Sequence, residues 1–123
     1  MALRDTMRNS ASPYLRPGET VQAIFGAQTA SNMMLLGGWV LFIIVNKYRI
    51  IAATNERVLV LDSGKWSIAR ARGVVTELPR STKLGPAGGA LWHKVTLGDE
   101  IVRVHRRFFK DVEEADAAAP VSG

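Results

Sequence analysis

Tyr48-Arg49-Ile50-Ile51-Ala52-Ala53-Thr54-Asn55-Glu56-Arg57-Val58-Leu59-Val60-Leu61-Asp62 reads as a β-hairpin, and the rest of the chain is organised around it. Its arms, residues 48–54 and 57–62, are joined by Asn55-Glu56, which suits a short turn. Val58, Leu59, Val60 and Leu61 form an apolar run rich in β-branching, the composition of a buried strand.

Upstream, Arg16-Pro17-Gly18-Glu19 reads as a turn, because proline presets φ and glycine accepts positive φ. Val21, Ala23 and Phe25 then alternate with Gln22, Ile24 and Gly26, the period of a strand with one buried face. Residues 1–12 place Leu3 and Met7 four apart, as in a short amphipathic helix, and lack the apolar run of a secretory signal.

Downstream, Ser63-Gly64 predicts a tight turn, and residues 65–72 a strand with Trp66 and Ile68 on one side. Residues 74–78 predict another strand, ended by Pro79; residues 79–89, rich in glycine, predict a loop. Residues 91–97 and 101–105 form a second hairpin around Gly98-Asp99-Glu100. Phe108, Val112, Ala115 and Ala119 then recur at helical spacing, with Asp111 and Glu114 as an acidic capping box in the first turn. Seven short strands and a terminal amphipathic helix predict a mainly β fold, an antiparallel barrel or sandwich closed by the helix, which would cover the open end of a barrel.

Three segments carry a likeness. Arg16-Pro17-Gly18-Glu19, the hairpin with its Thr54, Arg57 and Asp62, and Val102-Arg103-Val104-His105-Arg106-Arg107-Phe108-Phe109-Lys110-Asp111 together resemble the bacterial pleckstrin-homology-like (PH-like) proteins, of the actinobacterial type with no assigned function. The resemblance implies a seven-stranded barrel capped by a C-terminal helix over residues 16–119. The chain itself adds an apolar helical insertion, residues 31–46, between the first two strands, with residues 1–15 an N-terminal arm and 120–123 a tail. The resemblance also implies a noncatalytic binding module, often tied to membranes. Lys47-Tyr48-Arg49 matches the basic-x-Arg triplet of the phosphoinositide-binding branch, whereas residues 21–27, the first strand, contain no lysine. The triplet therefore implies anionic attraction without a complete inositide site.

The 123 residues, 47% of them apolar, suffice for one core and not for two. The absence of cysteine excludes disulfides, thiolate metal sites and cysteine nucleophiles. Two histidines are too few for an imidazole-built metal site, so neither metal nor cofactor is expected. Ser81, Thr82 and His93 form no recognised catalytic arrangement, and residues 85–89 lack the Lys-Ser/Thr of a phosphate loop, so no enzyme is expected.

The net charge of +5 points to anionic partners, and it is unevenly spread: residues 1–46 carry +1, residues 47–110 carry +8 and residues 111–123 carry −4. Twenty-seven residues between Glu19 and Lys47 carry no charge at all. Within that gap residues 33–45 are apolar, broken only by Gly37-Gly38. Thirteen residues of helix rise about 20 Å, short of the roughly 30 Å hydrocarbon layer. A single crossing would also part the first strand from its barrel. Residues 31–46 are therefore expected to lie in or dip into the interface, with Met33, Met34, Leu36 and Trp39 in contact with the membrane. Val40, Leu41, Phe42 and Ile44 complete that contact. Packing of this segment on the barrel, or against a second copy, is the competing expectation.

Lys47 and Arg49 follow the apolar run, and Arg103 and His105 share one face of the last strand, continued by Arg106, Arg107 and Lys110. These seven are the candidate anion-binding residues. Nucleic-acid binding is disfavoured, because the nine aromatics are mostly needed inside and Phe108 and Phe109 sit at core spacing. The expected function is a PH-like binding or adaptor module on the cytoplasmic face of the cell membrane, peripheral or monotopic. It would meet anionic lipid and recruit a protein partner; the alternative is a soluble, cytoplasmic homodimeric interaction module.

Overall fold

The computed structural model describes residues 3–29, 47–64, 68, 70–86, 88, 92–97 and 100–119. Helix α1 (Leu3–Ala11) and a 3-10 turn (Ser12–Tyr14) precede β1 (Val21–Gln28), β2 (Tyr48–Thr54), β3 (Arg57–Gly64) and β4 (Gly73–Pro79). Then follow β5 (Trp92–Leu97), β6 (Glu100–His105), a 3-10 turn (Arg106–Phe108) and α2 (Phe109–Ala118). The six strands form one antiparallel sheet, in the order β4-β3-β2-β1-β6-β5, curled into a half-barrel. The expected hairpins are present: Ala53 pairs with Val58 across Asn55-Glu56, and Leu97 pairs with Glu100.

Among the described residues there are six strands where seven are expected. Asp62 pairs directly with Gly73, and Ser63 Oγ both donates to the Arg70 carbonyl at 3.0 Å and accepts from its amide at 3.2 Å. The Arg70 amide and carbonyl, which a strand would use in its ladder, are thereby taken, and Ile68 and residues 70–72 are irregular. The Ala71 amide donates to Ser10 Oγ at 3.0 Å, hooking this connection onto α1. Ser63-Gly64 is likewise not a turn but the end of β3, where Gly64 takes φ of 76°.

The alternation in β1 predicts one buried face, yet every residue from Ala23 to Gln28 is buried. The same holds along β2 and β3, where Ile50, Ile51, Ala52 and Ala53 face Leu61, Val60, Leu59 and Val58, all at 1% exposure or less. Both faces of the central strands are thus shielded from water. Met7 and Ala11 of α1 and Val112 and Ala115 of α2 enter the same core, and both helices lie against β1. Gly26 shows how closely: a Cβ there would lie 2.3 Å from Ile68 Cδ1 and 3.1 Å from Met7 Cε, so only glycine leaves room for them.

The expected capping box is absent. No side chain caps α2, and the Asp111 carboxylate instead takes two bonds from Arg4, 2.9 Å from Nε and 2.7 Å from Nη2, which ties α1 to α2. The expected apolar insertion, residues 31–46, lies outside the described residues, as do the membrane-contact residues assigned to it.

Candidate anion-binding site

The two ends of the sheet differ in how their charges are matched. At the Arg16-Pro17-Gly18-Glu19 turn, Arg16 pairs with Glu56 at 3.4 Å and Glu77 at 3.1 Å, and Arg57 pairs with Glu19 and Glu77. Cations there are consumed by acids of neighbouring strands.

At the opposite end the register assembles a row. Lys94 pairs with Arg103, Arg103 with Gln28, Gln28 with Tyr48, and Tyr48 with Gly64. Partners opposite one another in a ladder share a face of the sheet. Lys47 adjoins this row, and the Arg72 guanidinium lies over Gly64, 2.8 Å from where a Cβ would stand. Lys47, Arg72, Lys94 and Arg103 hold no ion pair among the described residues. The uncharged segment leaves and re-enters the sheet at this same row. The Thr29 amide donates to the Lys47 carbonyl at 2.9 Å, and the Lys47 amide donates to Thr29 Oγ1 at 3.0 Å, closing its base like a hairpin stem.

Two concavities flank the row. A shallow groove of about 550 Å³ runs past Lys47, Arg49, Asp62 and Arg72 to Val74 and Val75, which are 50% and 39% exposed. A deeper cavity of about 290 Å³ lies between β1, the start of β2 and the β5–β6 hairpin. Gly26, Ala27 and Ile68 give it apolar surface, Tyr48 and Trp92 aromatic walls, and Gln28, His105 and Arg107 polar groups. Among the described residues no acidic side chain lines it. His105 Nδ1 accepts the Arg107 amide at 3.1 Å, so Nε2 carries the ring hydrogen. The His105 ring stands edge-on to Trp92, with centroids 5.0 Å apart, and the Arg107 guanidinium lies over the Phe108 ring at 4.8 Å.

The candidate residues read from the sequence divide accordingly. Lys47, Arg106, Arg107 and Lys110 are exposed, and Arg103 and His105 share a face as expected, half-buried. Arg49 is buried and donates to Asp62 Oδ1 at 2.8 Å, so the last member of the triplet has an acid of its own. Phe108 is buried at core spacing, while Phe109 meets His93 edge-on at 6.2 Å.

Trp92, Tyr48, Lys94 and Arg72 were not among those candidates. Lys94 and Trp92 were within reach of sequence reasoning, because counting back from Leu97 opposite Glu100 puts them across from Arg103 and His105. Arg72 was not, since its place depends on the irregular connection. His93 serves the fold: Nε2 donates to the Leu84 carbonyl at 2.8 Å, and Nδ1 accepts from the Gly88 amide at 3.3 Å.

Among the described residues no cluster of three or more His, Asp or Glu is placed to hold a metal, and no helix is long and apolar enough to cross a membrane. Compared with protein families, curated proteins and solved structures, the chain matches none of them. The chemistry of the site therefore stands on its own groups: cations and neutral donors gathered at one end of the sheet, suited to an oxyanion.

Proposed function

We propose that this protein is a noncatalytic PH-like module that docks peripherally on an anionic membrane surface, on the cytoplasmic face, and recruits a protein partner there. The observation that supports this reading is the segregation of charge. Acids neutralise the cations at the Glu19 end of the sheet, while Lys47, Arg72, Lys94 and Arg103 stand without ion pairs among the described residues, at the end where Thr29 and Lys47 flank the uncharged segment. Each basic residue near an anionic bilayer contributes about 1 kcal/mol, so four reach the range of useful peripheral binding when apolar contacts are added. The closed Thr29–Lys47 stem also favours a dip into the interface over a single crossing, because both ends of the segment lie at one place.

Co-sedimentation with phosphatidylglycerol-containing vesicles tests the proposal. The wild type is expected in the pellet, largely retained at high salt, and Leu41→Asp with Ile44→Asp is expected to release it. A wild type that stays in the supernatant as a monomer overturns the reading. A soluble dimer split by the same two changes would establish the homodimeric interaction module instead.

A further inference from the structure

We infer that the cavity between Tyr48 and Trp92 binds the phosphate of a small organic phosphate, with the organic body against the aromatic walls. This goes beyond attachment to a surface, since it concerns one concave site on the β1–β6–β5 face and not the rim. Four of the residues that line the cavity carry donors, and they come from four different elements: Tyr48 with its hydroxyl on β2, Trp92 with its indole N–H on β5, His105 with Nε2–H on β6, and Arg107 with its guanidinium on the following 3-10 turn. Among the described residues none of these four groups has a hydrogen-bond partner, and no carboxylate lines the cavity to claim them. A lining of donors without acids selects an acceptor-rich ligand.

The choice of phosphate follows from where the donors stand. A carboxylate offers two oxygens in one plane, which one guanidinium satisfies in bidentate fashion. Donors contributed by four separate elements are better matched by the oxygens of a tetrahedral group that point several ways. Stacking on Phe108 restrains Arg107, lowering the entropy lost when it binds. The remaining surface, from Gly26, Ala27, Ile68 and the two aromatic rings, has no use for a bare ion and suits a flat or apolar body. At about 290 Å³ the cavity sits at the lower edge of ligand pockets, which limits that body to about one ring.

Calorimetric titration of phenyl phosphate into the full chain, beside inorganic phosphate and benzoate, tests this without lipid. Phenyl phosphate is expected to bind more tightly than either. Arg107→Gln is expected to weaken it by about tenfold or more, and Tyr48→Phe severalfold, with melting temperatures close to wild type. Trp92→Leu should weaken phenyl phosphate more than inorganic phosphate. No saturable binding, or affinity unchanged in both Arg107→Gln and Tyr48→Phe, overturns the inference.

The phosphate has two possible sources, a lipid head group or a free metabolite. Excess phenyl phosphate that displaces the protein from vesicles assigns the cavity to lipid; retention on vesicles with phenyl phosphate bound assigns it to a free phosphate. Failure of membrane docking is separately visible, as loss of vesicle binding with phenyl phosphate affinity intact.

Discussion

Arg57 grips the Glu19 carboxylate with both sides of its guanidinium, Nε donating to Oε2 and Nη2 to Oε1, each at 2.9 Å. The Thr54 hydroxyl adds a bond of 2.6 Å and the Arg16 amide one of 2.9 Å, around a Glu19 side chain with no solvent exposure. The turn before β1 is thus locked to the β2–β3 hairpin. Thr54, Arg57 and Glu19 are thereby engaged in holding the fold.

This latch makes stability depend on pH. The Arg57 hydrogen bonds, opposed by burial and reinforced by Thr54 and the Arg16 amide, hold the Glu19 carboxyl down to about 2 from an ordinary 4.5. A depressed folded value means the stabilisation is complete above the unfolded value and is lost as pH falls from about 4.5 toward 2, on the order of 3 kcal/mol. Thermal melts across that window should show a steep fall in Tm. Glu19→Gln should be less stable at neutral pH and show a flatter profile; equal slopes for the two proteins would contradict the assignment.

Gly26 and Ile68 form a second testable pair. Gly26→Ala puts a methyl group on the Ile68 side chain and should cost about 1–3 kcal/mol, as overpacking does. Ile68→Ala in the same chain should recover part of that loss. Urea denaturation of the four proteins of the cycle measures the coupling, and additive losses would show that the two do not meet.

Asp116 secures the loop beyond β4, its Oδ1 accepting the Leu84 amide at 2.8 Å and its Oδ2 the Gly85 amide at 2.9 Å. It also favours the charged form of the buried Arg80, whose ordinary value is lowered by desolvation and whose Nη2 donates to the Ala115 carbonyl near the end of α2. Asp116→Ala should cost about 2 kcal/mol and speed hydrogen exchange at the Leu84 and Gly85 amides. Unchanged exchange at those two amides would refute the clamp.

The asymmetry of charge predicts an asymmetry of effect on vesicles. Lys47→Glu with Arg72→Glu should lower the affinity for anionic vesicles at least about tenfold and reduce its salt dependence. Arg16→Glu, at the other end of the sheet, should change it little. Equal losses from the two ends would show that net charge alone governs binding.

Amino-acid order alone was enough for the local elements. The two hairpins, the Pro17-Gly18 turn and the spacing of Phe108, Val112 and Ala115 follow from period, β-branching and turn chemistry, which act over a few residues and survived folding unchanged. It also set the placing of charge along the chain, including the gap before Lys47. Tertiary structure decided whatever needed a distant partner. Residues 65–72 alternate as a strand would, but Ser63 and Ser10 capture the backbone of Arg70 and Ala71; Asp111 is placed to cap α2, but Arg4, 107 positions away, claims it. Arg49 and Arg103 look alike in sequence until Asp62 neutralises the first, while the second, opposite Lys94, is left without an acid. Hydrogen bonds and ion pairs are won by whichever group folding brings nearest, and that competition is resolved in space.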